Sequence, residues 1–81
     1  MRATVLVRPK QGILDPQGQA VEDSLRHLGF AVGEARIGRV VDLEVDAADP
    51  AQARVEVERM CAQLLTNPLI ESYEIAFAGD A

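Results

Sequence analysis

Two Asp-Pro steps, Asp15-Pro16 and Asp49-Pro50, constrain this chain more than any other feature. An aspartate just ahead of a helix accepts from the N–H groups that the first turn leaves free. Proline suits the first helical position because its fixed φ matches and no needed N–H is lost. Each step separates a period-two segment from a segment of helical period. Ahead of the first, RATVLVR (2–8) sets Ala3, Val5 and Val7 on one face and Arg2, Thr4, Leu6 and Arg8 on the other. After it, Val21, Leu25 and Leu28 form one helical stripe, with Glu22 and Arg26 in favourable order and Gly29 fit for a left-handed end. Ahead of the second, RVVDLEVD (39–46) opposes Val41, Leu43 and Val45 to Asp42, Glu44 and Asp46. After it come Ala53, Val57, Cys61 and Leu64, widened by Met60, with Gln52 placed to reach back over the helix start.

Two further segments complete the pattern. AVGEARI (31–37) reads as a weaker strand, turned by Gly38-Arg39 into the next, and Asn67-Pro68 ends the second helix. LIESYEIAFA (69–78) is the last strand, and GDA (79–81) is a tail. The order is βαββαβ. It predicts an α+β, ferredoxin-like antiparallel sheet in the order 4-1-3-2 with two helices on one face, a single domain over residues 1–81.

Composition narrows the function. A net charge of −5 over 81 residues argues against partners that demand a basic field, such as nucleic acid or an anionic membrane. One cysteine excludes an internal disulfide, and no apolar run reaches the roughly 18 residues of a membrane span; a cytoplasmic setting is expected. A chain this short buries only about 60% of its unfolded surface, so self-association is a natural supplement. The open sheet face and unpaired edges predict a homodimer or a larger assembly.

The connection RPKQGILDPQG (8–18) is richer than a turn requires. In the predicted topology it meets the RIGR segment (36–39) and Asn67 at one end of the sheet. Arg8, Lys10, Arg36 and Arg39 are half of the chain's eight basic residues, and they would gather there beside the start of the first helix. The plain alternative is loop solubility, with Arg2 and Arg8 pairing across the outer face with Asp42, Glu44 or Asp46. Leu14 precedes the Asp15 cap, but Gln19 stands where a hydrophobic staple needs an apolar partner. Ile13 and Leu14 are therefore candidates for contact with another chain. The Asp42, Glu44, Asp46 alternation reads as a solvated strand face, lone His27 as a helix-end residue and Cys61 as core. No phosphate-loop, dinucleotide, serine-hydrolase or zinc-protease motif is present, and nothing combines nucleophile, base and orienter.

Together, ILDPQGQAV (13–21), RHLGF (26–30), ARIGR (35–39) and MCAQLLTNPLIESYEI (60–75) resemble the PurS family, the small subunit of phosphoribosylformylglycinamidine synthase. The resemblance spans nearly the whole chain. It implies a complex that uses glutamine and ATP to convert formylglycinamide ribonucleotide to formylglycinamidine ribonucleotide in purine synthesis. In such a complex a glutaminase subunit, PurQ, releases ammonia. A synthetase subunit, PurL, uses ATP and magnesium. The small subunit holds no cofactor and no catalytic residue of its own, and it joins the other two. Residues implied at partner contacts are Arg8, Lys10, Gly12, Ile13, Leu14, Asp15, Pro16, Gln17, Arg36, Arg39 and Asn67. Arg39 stands where the family pattern has lysine, which keeps the charge and changes the hydrogen-bond geometry. Two other readings compete: a small ligand-binding regulatory domain at a dimer edge, and a stand-alone phosphate-handling enzyme.

Overall fold

The computed structural model describes residues 1–78, so the expected GDA tail lies outside the described residues. Strand β1 (Arg2–Pro9) is central, flanked antiparallel by β2 (Arg39–Glu44) and β3 (Glu71–Phe77), giving the order β2-β1-β3. Helices α1 (Pro16–His27) and α2 (Pro50–Met60) complete an α+β fold of antiparallel sheet and two helices. Register follows the alternation: Val5 faces Val41 on one side and Ile75 on the other, so all three share a face.

Both Asp-Pro steps do what their chemistry predicts. The Asp15 carboxylate accepts from the Gly18 N–H at 3.0 Å, and Asp49 accepts from the Gln52 N–H at 2.8 Å. Gln52 reaches back to the Ala48 N–H. Gly29 ends the first helix at φ +97°. The second helix widens at its end into a five-residue π turn (Cys61–Leu65), in which the carbonyl of its first residue, Cys61, accepts from both the Thr66 N–H and the Thr66 hydroxyl.

The core is built from Ala3, Val5, Val7, Val45, Ala53, Val57, Cys61 and Phe77. Every one comes from the sheet, its extensions or α2. Deep burial of Cys61 bears out its place in the apolar stripe, and burial pushes its thiol pKa up.

Two expectations fail in detail. Residues 31–37 pair with no strand among the described residues, so the order 4-1-3-2 is reduced to its first three members. The reason lies in what captures their backbone. Arg26 donates to the Val32 and Gly33 carbonyls, and the Ala35 and Ile37 N–H groups donate to Glu22 and Asp15. The segment is thus bound along α1, not along β2. Correspondingly Gly38-Arg39 is not a hairpin turn; a Cβ on Gly38 would lie 2.2 Å from the Val7 carbonyl oxygen, so glycine there permits close approach to β1. The stripe Val21, Leu25, Leu28 is also not core. Gly18 is the sole buried residue of α1, and Leu28 is 72% exposed. The outline is accordingly long, 50 × 27 × 16 Å, with a radius of gyration of 15.8 Å against about 12 Å for a compact chain of this length.

Candidate docking pole

The end of β1, the starts of β2 and β3, and the exit from α2 meet at one pole, because the strands are antiparallel and α2 runs the length of the sheet. Lys10 joins two of these segments: its N–H donates to the Ile70 carbonyl at 2.8 Å and its Nζ to the Pro68 carbonyl at 2.6 Å. Arg39 joins two more, donating to the Leu65 carbonyl at 2.6 Å and to both Glu71 oxygens at 2.6 and 3.0 Å. The fork geometry of the guanidinium makes this bidentate contact possible, and lysine would not reproduce it. Glu71 also accepts from the Asn67 N–H at 2.7 Å, so its carboxyl is held below its usual range, first by Arg39 and then by that backbone donor.

Asn67 lies inside this corner. Its side-chain oxygen accepts from the Leu69 N–H at 3.2 Å, and its carbonyl from the N–H groups of Ile70 and Glu71. The corner is thus fixed from within, yet it holds Leu69 at 84% exposure, with Leu64 at 83% on the preceding turn. Neither residue stood out in the sequence. Leu64 reads there as part of the second helix's apolar stripe and Leu69 as the first residue of the last strand, which instead begins at Glu71; the structure leaves both exposed.

The other half of the pole is the root of α1. Asp15 accepts from Gly18 and from the Ile37 N–H at 2.8 Å, and these two backbone donors hold its carboxyl below the ordinary value. Arg36 donates to the Pro9 carbonyl, tying the return segment to the end of β1. Gly12 turns at φ +81°, and the Ile13 N–H closes that turn on the Lys10 carbonyl at 3.2 Å. Ile13 is half-exposed and Leu14 is 78% exposed, with no staple partner, while Pro16 occupies the first helical turn and Gln17 faces solvent. A cleft of about 350 Å³ lies where the end of β1 meets the segment entering β2, lined by Leu6, Arg8, Pro9, Arg36, Gly38 and Val40 among others.

The sequence-predicted residues therefore do converge, but the expected cationic field is largely spent. Arg8 lies 3.3 Å from Glu74, Arg36 3.8 Å from Glu34, and Arg39 is on Glu71. Arg8 is opposite Ser72, so Glu74 is its diagonal neighbour on the outer face, not the β2 acids expected. Arg2 does pair as expected with Glu44, at 3.8 Å, and Thr4 takes Asp42. Lys10 is the one predicted cation here with no carboxylate partner among the described residues. What the pole offers is a rigid apolar rim around neutralised charge. Such a surface suits a protein partner better than a small anion.

Comparison with known proteins decides the family. The family model for PurS, phosphoribosylformylglycinamidine (FGAM) synthase, matches residues 2–79. The chain belongs to the PurS family. The phosphoribosylformylglycinamidine synthase subunit PurS of Synechocystis is 42% identical over 73 residues, covering 89% of this chain and 71% of that protein. The crystal structure of Methanocaldococcus jannaschii PurS matches with a TM-score of 0.81 at 37% identity, over 93% of this chain and 92% of that one. A chain of the PurLQS structure from Thermotoga maritima matches with a TM-score of 0.85 at 33% identity, over 93% of each.

Proposed function

We propose that this chain is the non-catalytic adaptor of a cytoplasmic phosphoribosylformylglycinamidine synthase, acting as one domain that joins a glutaminase subunit, PurQ, to an ATP-dependent synthetase subunit, PurL. The observation that carries this reading is the pole: exposed Ile13, Leu14, Leu64 and Leu69 stand on backbone fixed by Lys10, Asp15, Arg39, Asn67 and Glu71. A preorganised apolar surface loses little entropy when it docks. ATP and magnesium belong to the large subunit in this reading. Amide transfer between two active sites requires ammonia to pass without escaping to solvent, where it is diluted and protonated. An adaptor that holds the two sites together turns a diffusive encounter into a local transfer.

The test uses PurL and PurQ reconstituted with this chain. The double substitution Ile13→Asp, Leu14→Asp is expected to lower glutamine-dependent turnover about tenfold or more, since charges then occupy a desolvated rim. Turnover supplied with free ammonia persists. Unchanged glutamine-dependent rates would remove the assignment of this pole. The adaptor also self-associates in this reading, with two or four copies in the assembly.

A further inference from the structure

We infer that the cleft on the bare face of the sheet is a socket for an acidic side chain, flanked by an apolar one, from one of the two catalytic subunits. The inference rests on the adaptor reading and gives it a second surface with a stated chemistry. It starts from a contrast along that face. Away from α2, most of the face is polar and already paired: Thr4 takes Asp42 at 2.8 Å, while Glu44 takes Arg2 at 3.8 Å and the Met1 amino group at 3.1 Å. Next to the end of β1 the character changes. Leu6 lies directly opposite Val40, and Val40 is 60% exposed. With Pro9, these two side chains give the cleft of about 350 Å³ an apolar floor.

Two guanidinium groups belong to its lining, and both are loosely paired. Arg8 and Glu74 are 3.3 Å apart, each mostly in solvent. Arg36 is 3.8 Å from Glu34, whose side chain is also exposed. Neither contact matches the bidentate clasp of Arg39 on Glu71. Exposed pairs at such distances contribute little and exchange partners readily. The frame around them is fixed, however. Arg36 donates to the Pro9 carbonyl, and Gly38 lets the segment entering β2 lie against Val7. A carboxylate entering the cleft would replace Glu74 and Glu34 and meet guanidinium away from water, where a charge-assisted, two-pronged contact is strongest.

Charge and shape select the occupant. A bare phosphate would find two guanidinium groups and otherwise hydrocarbon, so it would lose its water without enough donors in return. A second copy of the chain brings Asp42 and Glu44 on its own bare face, and both are already engaged. A foreign aspartate or glutamate beside a leucine or valine fits rim and floor together.

The experiment measures binding of the full chain to purified PurL and to purified PurQ by titration calorimetry. Arg8→Glu is expected to weaken binding to one of the two about tenfold or more, and so is Val40→Glu, which puts a carboxylate of the chain's own into the socket. Added salt should weaken the wild type more than Arg8→Glu. Both positions are exposed, and circular dichroism should show both variants folded. Glu74→Gln frees Arg8 from its resident partner and should tighten the same binding about twofold or more. A merely structural Arg8–Glu74 pair predicts the reverse, so weaker binding in Glu74→Gln would overturn the inference. So would wild-type affinity for both subunits in Arg8→Glu and Val40→Glu, or saturable binding of inorganic phosphate to the free chain that Arg8→Glu abolishes. Self-association lost in these variants with subunit affinity unchanged would overturn it too. Failure here with turnover still lost in the Ile13, Leu14 variant leaves the adaptor reading standing; wild-type chain that binds neither subunit removes both.

Discussion

The two helices begin alike and end differently. Both open on Asp-Pro, and both carry apolar residues at helical spacing. Yet α2 and the π turn that extends it bury Ala53, Val57 and Cys61 completely, while α1 buries only a glycine. The sheet with α2 is a body in the usual sense, whose apolar faces meet each other. Residues 13–38 form an arm whose hydrogen bonds are mostly internal, between α1 and its return segment. A helix start is therefore a local matter, settled by one carboxylate and one first-turn N–H group. Where the helix then packs is decided by what stands opposite it.

The sharpest test of this division is the same change made in each part. Val57→Asp places an unpaired charge in the middle of the body, where nothing can solvate it. It is expected to remove most of the ~4–12 kcal/mol that holds a chain of this size, leaving no cooperative urea transition. Val21→Asp puts the same charge on the arm, where the side chain is already partly in solvent. At concentrations low enough to suppress self-association, it should shift stability by about 0.5 kcal/mol or less. Comparable losses from the two substitutions would mean that the arm belongs to the core after all.

This difference also marks how far the sequence could be read. The body was legible because its signals agree: alternation in 2–8 and 39–46, the cap at Asp49, and a stripe through Cys61. The convergence of Lys10, Arg36, Arg39 and Asn67 was legible too, since antiparallel topology alone brings strand ends together. Segment 31–37 misled because its weak alternation, broken by Gly33, cannot show that Arg26, Glu22 and Asp15 will claim its backbone groups. Glu71 and Glu74 were overlooked as partners of Arg39 and Arg8 because pairing across β3 depends on register. The stripe of α1 was read as apolar, and periodicity is silent on what covers such a face.

A smaller effect should separate the arm's own cohesion from the body's. A Cβ on Gly18 would lie 2.3 Å from the Ala35 carbonyl oxygen and 3.0 Å from the Arg36 Cα. Gly18→Ala must therefore push the return segment off the helix, at a cost of roughly 1–3 kcal/mol borne by the arm. Amide hydrogen exchange is the suitable probe. Protection should fall across residues 13–38 and stay unchanged in β1 and β3. A uniform loss over the whole chain would show that arm and body unfold as one unit.

The smallest effect concerns the two carboxylates that lock the parts. Asp15 locks the arm through the Gly18 and Ile37 N–H groups, and Glu71 locks the body's corner, chiefly through Arg39. Both titrate below their ordinary values when folded. Such groups contribute stability that is present above the unfolded pKa and is lost as pH falls through the folded one. The acid limb of the stability profile, below about pH 4, should therefore flatten in Asp15→Asn and in Glu71→Gln. Salt tells them apart. The Arg39–Glu71 pair is an ion pair with Arg39 half in solvent, contributing about 1 kcal/mol or less, and molar salt should erase much of it. Asp15 faces backbone dipoles at short range, with Arg36 only a lesser influence, so its contribution should persist in salt. If both acid limbs respond to salt alike, the arm's root is held by charge and not by its backbone donors.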